Sequence, residues 1–215
     1  MPSITAMLCV RYLGLKEGEQ EMSQYVDLGK MPKSPEERRN LIEQRVTMED
    51  YVSHLEITHI QRRVLEFLIL QKGYTQEDIE VNKEFKVQLG DISFDVVADV
   101  VLKVGGKRFL VIKCAINSLD SWERHSVAFC RVVDTYRIPY AVITDGDQAR
   151  MLDALSGHLL TEGLDTIPSR EKAQQIVQEV NFSPLPNDKH EREKRILHAF
   201  DAIKCPATPT GLGQT

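Results

Sequence analysis

Residues 93–115 read SFDVVADVVLKVGGKRFLVIKCA, and this stretch constrains the fold more than any other in the chain. β-Branched and apolar residues dominate residues 93–104, and residues 108–116 form a second, nearly continuous apolar run. Strand side chains alternate with period two. Asp95, Val97, Asp99 and Val101 are therefore expected on one face, and Phe94, Val96, Ala98 and Val100 on the other. Gly105-Gly106 supplies the positive φ that a two-residue hairpin turn requires. Strands apolar on both faces belong in the middle of a sheet covered on both sides. One polar residue interrupts each strand, Asp99 in the first and Lys113 in the second. A charge buried there is costly unless it is paired or bound to a metal. The two residues are the first candidate site, and a partly buried ion pair between them is the simplest expectation.

The flanking chain supplies layers for such a sheet. Ser34-Pro35-Glu36-Glu37 is a helix start, with a capping serine, proline in the first turn and a carboxylate three residues after the cap. That helix is expected to run to Val46, with a second cap at Thr47-Met48-Glu49-Asp50 and a long helix over residues 58–72. A turn at residues 75–78 and a strand over 79–89 lead into the hairpin. After it come a helix from Ser118 or Asp120 through Arg137, a buried strand at 139–144 and a hairpin of 150–155 with 158–161. Helices over 169–180 and 188–204 close the series, the second carrying Ile196, Leu197, Phe200 and Ile203. The expected fold class is α/β: a mixed central sheet flanked by helices, with helical extensions at both ends. The expected organisation is an N-terminal arm and helix (1–46), a domain (47–165), C-terminal helices (166–204) and a disordered tail (205–215). Within the arm, residues 7–15 read as a strand or a short helix.

Composition narrows the function classes. A chain of 215 residues can bury one domain with extensions, and a net charge of −5 gives no global attraction to nucleic acid. Cys9, Cys114, Cys130 and Cys205 show no C-x-x-C spacing and read as buried or incidental thiols of a reducing compartment. Residues 4–15 are too short to span a bilayer and lack a basic flank with a cleavage site. A soluble cytoplasmic protein with no membrane partner is expected. No G-x-x-x-x-G-K-[ST] loop occurs, so any ATP-driven motor would belong to another protein.

Several pieces in order resemble a known family: GYTQEDIEV, ADVVL followed by a glycine turn and FLVIKCA, LDSWER, and PYAVITDG with RMLD behind it. From about Thr47 to Leu160 the chain resembles the amino-terminal nuclease domain of type I restriction enzyme R subunits, in the PD-(D/E)xK restriction-endonuclease-like superfamily. The resemblance implies an endodeoxyribonuclease with an Asp ending one strand, Glu-x-Lys about fourteen residues later and Gln-x-x-x-Tyr on the next helix. Asp99 matches the aspartate. Lys113 stands at the glutamate position, Ala115 at the lysine, and His125 and Phe129 at the glutamine and tyrosine. Sliding the register to make Lys113 the family lysine puts Val111 at the acid position, so neither alignment restores the motif.

Magnesium needs hard oxygen ligands, and in this class the metal activates water and offsets charge on phosphorus. One carboxylate beside an ammonium would repel it. The leading expectation is therefore a degenerate, catalytically inactive relative that needs no cofactor and serves as a nucleic-acid-binding or protein-assembly module. Two alternatives stay open: a magnesium-dependent DNA endonuclease whose ligands have migrated to Asp95, Asp99 and Glu84, and a structural homo-oligomer joined through the charged helix at 188–204. Lys103, Lys107, Arg108 and Arg124 are the candidate nucleic-acid contacts, with DNA, a second copy or other subunits as partners.

Overall fold

The computed structural model describes residues 34–204 apart from residue 117. The expected element at 7–15, most of the N-terminal arm, the tail from 205, and Cys9 and Cys205 lie outside the described residues.

Helix α1 (Pro35–Leu70) starts as its sequence dictates: Ser34 Oγ accepts the Glu37 N–H at 3.1 Å and proline occupies the first turn. It then runs unbroken through residues 47–50, where a second start was expected. The reason is that no Gly or Pro interrupts residues 36–72, and Thr47 and Asp50 lower helix propensity without breaking the hydrogen-bond ladder. Gly73, at φ 75°, ends it.

Six strands follow in the spatial order β1 to β6: β1 (Ile79–Leu89), β2 (Ile92–Val104), β3 (Lys107–Cys114), β4 (Tyr140–Thr144), β5 (Ala149–Asp153) and β6 (Leu159–Glu162). Neighbours are antiparallel except β3 and β4, which are parallel and joined by a crossover containing a 3₁₀ turn (Leu119–Trp122) and helix α2 (Glu123–Val132). Helix α2 is shorter than expected and does not reach Arg137. Beyond Val133, Asp134 accepts the Thr135 N–H at 2.7 Å and the Arg108 guanidinium at 2.9 Å, and the Ile138 N–H returns to Cys130 O at 2.8 Å. These local bonds replace another helical turn.

Helices cover both faces of the sheet. On one side, α2 and the C-terminal helix α4 (Asn187–Lys204) pack on Val101, Val111, Ala115, Ile143 and Leu152. On the other, α1 and α3 (Arg170–Glu179) pack on Val100, Leu102, Phe109, Ile112 and Val142. The central strands are apolar on both faces because both faces are covered. Each fully buried Leu, Ile or Phe here contributes about 1.5–3 kcal/mol.

The expected alternation along β2 fails at one place. Val96 and Ala98 face the α2 side and so does Val101, whereas Val100 faces the α1 side. The strand thus changes face around Asp99. Its neighbour does the same: Phe85 and Val87 join the α2-side core and Ile79 the α1-side core, with Asn82 at φ 48° between them. Asparagine is one of the few residues that tolerates this left-handed backbone. Gln61 of α1, buried at 3% exposure, ties the two kinks together: its Nε2 donates to Asn82 Oδ1 at 2.9 Å and to the Asp99 carbonyl at 2.7 Å. Gln61→Leu is expected to destabilise by about 1–3 kcal/mol, the cost of leaving a buried acceptor unsatisfied. Urea unfolding measures the loss, and hydrogen exchange should locate it in β1 and β2.

Candidate functional site

The kink turns Asp99 toward α2, onto the same sheet face as Val111, Lys113 and Ala115. Asp99 Oδ2 accepts from Lys113 Nζ at 2.7 Å and from the Cys114 backbone N–H at 2.7 Å. The last paired residues of the β2–β3 ladder at this end are Val100 and Ile112, so the carboxylate satisfies a backbone donor that the ladder leaves. Both charged side chains are largely removed from water, at 12% and 13% exposure. Lys113 Nζ also lies 5.1 Å from the centre of the Trp122 ring, a cation–π contact that fixes the ammonium from above. Cys114 follows with its side chain in the opposite core. Burial, and then the charge of Asp99, push its thiol well above the ordinary range, so it is not a nucleophile.

Around the pair is a cavity with only about 10 Å³ open to a water molecule, lined in part by Val111, His125, Ser126 and Phe129. That is room for about one water. His125 and Phe129, four residues apart on α2, both point inward, at 6% and 2% exposure. His125 sits in an aromatic surround, its ring centre 5.4 Å from Trp122 and 5.5 Å from Phe200 of α4. Ala115 is fully buried in the core on this face. Asp99, Lys113, Ala115, His125 and Phe129 are thus gathered into one place, with Phe200 of α4 packed against His125 at its side.

The other candidate ligands are elsewhere. Asp95 and Glu84 are exposed and belong, with Val97, to the sheet face opposite Asp99. The expectation that Asp95 shares a face with Asp99 is corrected by the kink between them. Among the described residues, no group of three or more His, Cys, Asp or Glu side chains is placed to hold a metal ion.

Of the candidate basic contacts, Lys103 is half-buried, and Lys107 is exposed, with Nζ 4.9 Å from the Tyr136 ring centre. Arg108 is engaged on two sides, with Nε 2.6 Å from Glu80 and Nη1 2.9 Å from Asp134. Arg124 pairs with Glu193 at 2.7 Å. The hydrogen bond from Arg108 holds the Glu80 carboxyl below its usual range. Burial would raise that of Asp78, but Arg170 and the Thr75 hydroxyl and N–H outweigh it and hold it low. Folded values below unfolded ones mean that both contributions are complete above the unfolded carboxylate range, about pH 4. They are lost as pH falls through the folded values. The melting temperature is expected to hold level down to about pH 5 and to fall below pH 4. Glu80→Gln should lower it at neutral pH and make the acid fall shallower, as thermal circular dichroism will show.

Gln61, Trp122, Glu193 and Phe200 shape this region; the sequence marks Trp122 and Phe200 only as apolar helix positions, and Gln61 and Glu193 not at all as site residues. Gln61 left a signal: it is a polar residue on the apolar stripe of Ile57, Val64 and Leu68. Glu193 left none, because one glutamate in a charged helix looks like solvated surface.

A mixed sheet with an antiparallel hairpin at its centre, helices on both faces and an aspartate of β2 facing a lysine of β3 places the chain in the α/β class and fits a restriction-endonuclease-like fold. The family model described as type I restriction enzyme R protein N terminus matches residues 59–168, just over half of the 215 residues, and the chain belongs to that family. No curated protein and no solved structure matches the chain. Among the described residues, no helix is long and apolar enough to cross a membrane.

Proposed function

We propose that this chain is a catalytically inactive relative of the type I restriction R-subunit nuclease domains, acting in the cytoplasm as a nucleic-acid-binding or protein-assembly module. The observation that carries this reading is the ammonium of Lys113, 2.7 Å from the Asp99 carboxylate. It occupies the position a divalent cation would need. The donor set does not fit magnesium: one carboxylate is already neutralised, an ammonium replaces the second acid, and Ala115 offers no charge to a reacting phosphate. The small size of the cavity supports the same conclusion, since about 10 Å³ leaves no room for a phosphodiester beside Asp99.

Partners of the chain are then DNA or other protein subunits. The C-terminal helix, weighed from the sequence as a contact between copies, turns Leu197 and Phe200 inward onto its own domain.

Calorimetric titration with magnesium and manganese, beside a plasmid-nicking assay, tests the reading. No saturable binding and no nicking are expected. Binding and nicking that are both abolished by Asp99→Ala would overturn it and revive an enzyme with relocated ligands.

A further inference from the structure

Helix α4 lies beyond the part of the chain that the family model matches, and it is fastened to α2 by a buried charge. Glu193, at 5% exposure, stands against two arginines of α2: Arg131 Nη1 donates to Oε1 at 2.9 Å, and Arg124 Nη2 lies 2.7 Å from Oε2 as an ion pair without hydrogen-bond geometry. The arginines are seven residues apart, hence on one face of α2, and their forks converge on one anion. Arg131 is also held by the carbonyls of Ala154 (2.6 Å) and Leu155 (2.9 Å). Its position is therefore fixed independently of Glu193. Arg124 Nη1 has no hydrogen-bond partner among the described residues and remains as a spare donor.

Two convergent guanidinium groups, one preset by backbone carbonyls, form a phosphate site as readily as a carboxylate site, because the oxygens of the two anions are similarly spaced. We propose that Arg124 and Arg131 are a binding site for nucleic-acid backbone phosphates, and that Glu193 fills it as an internal mimic, latching α4 over α2. The inference rests on the nucleic-acid branch of the proposed function. It explains how a chain of net charge −5 holds a cationic site in reserve: one of the two positive charges is offset by Glu193 until α4 lifts. The joint for such movement lies at Pro184–Pro186, because Phe182 packs edge-on against Tyr136 and the Ser183 carbonyl accepts the Arg137 N–H at 3.2 Å. Residues 181–186 form no helix or strand and include Pro184 and Pro186. The rest of the latch is apolar, with Leu197 fully buried and Phe200 against His125, so displacing α4 would also uncover His125, one wall of the Asp99 cavity.

Full-length protein, Glu193→Gln and Glu193→Gln/Arg124→Ala are to be titrated onto fluorescein-labelled duplex DNA by anisotropy over a range of salt, with Glu179→Gln, at an exposed position, as the net-charge control. Glu193→Gln is expected to bind about tenfold more tightly than the parent, with a log–log salt slope steeper by about two phosphate contacts. The double variant should return to parental affinity, and Glu179→Gln should match the parent. DNA binding that is equal in the parent and Glu193→Gln overturns the latch and leaves the functional reading standing. No DNA binding by either overturns the latch and the nucleic-acid branch together. If Glu193→Gln fails to fold, hydrogen exchange on the parent decides the matter. Added DNA should deprotect α4 amides while protecting α2, and unchanged α4 protection would overturn the proposal.

Discussion

Asp99→Ala is expected to destabilise the protein by about 3–5 kcal/mol, the usual cost of stripping one partner from a buried ion pair. The substitution leaves the Lys113 ammonium inside the sheet with Trp122 as its remaining close contact, and it orphans the Cys114 N–H. The cavity holds about one water, too few to replace both the ion pair and the hydrogen bond to the Cys114 N–H. The control is Asp99→Leu/Lys113→Met, which removes both charges and fills the space. Buried pairs replaced by well-packed apolar groups are often neutral or stabilising, so the double variant should recover most of the loss. Urea unfolding of the single and double variants measures the coupling. A single variant within about 1 kcal/mol of the parent would mean that Lys113 reaches solvent and that the pair is of the weak surface kind.

The site was legible in the sequence to the extent that polar residues interrupted an apolar pattern. Asp99 and Lys113 stood out because each is the one charge within an apolar core run, residues 96–102 and 109–116, and their contact follows from the hairpin register. The strand order was legible for the same reason: the hairpin, the crossover and the final hairpin each carry strong punctuation at Gly105-Gly106, Pro139 and Ser156-Gly157. What could not be read was the change of face at Asp99. Strict period two put Asp95 beside it as a second ligand, whereas β2 changes face at Asp99 opposite the left-handed Asn82 of the neighbouring strand. No single-strand pattern carries information about a kink shared between two strands. The C-terminal helix was legible as an amphipathic element, but its docking surface was not. Its salt bridges to α2 span more than sixty residues, and charge spacing within one helix says nothing about a partner that distant.

The expected break in α1 at residues 47–50 is missing for a local reason. Thr47 and Asp50 are good capping residues, and a cap can only be read from the sequence as a candidate start. Without a Gly or Pro before them the preceding turn need not end, and the structure continues the helix straight through. Residues that favour a boundary are weaker evidence than residues that force one.

Lys113→Glu separates a remodelled site from one that differs from a metal centre by a single charge. The substitution brings two carboxylates together in a space now held by one ion pair. In EDTA at pH 8 it is expected to destabilise by roughly 3–5 kcal/mol, because the favourable pair is lost and a repulsive one takes its place. Repulsion raises the folded-state pKa of one carboxyl above its unfolded value. Stability must then fall as pH rises through that raised value, so the variant should be more stable at pH 5 than at pH 8. Manganese offers a second route to relief. An ion that binds the folded form alone stabilises it by about 2.7 kcal/mol at a hundred times its dissociation constant. The melting temperature of Lys113→Glu should therefore climb with the logarithm of manganese concentration, while that of the parent stays flat. Plasmid nicking is expected to remain absent, since Ala115 still places no ammonium near a scissile phosphate. A variant as stable as the parent in EDTA would show that Asp99 and Lys113 are not charge-coupled. A destabilised variant that manganese cannot rescue would show that the cavity walls, Phe129 and His125 foremost, have closed the site to a cation irrespective of its charge.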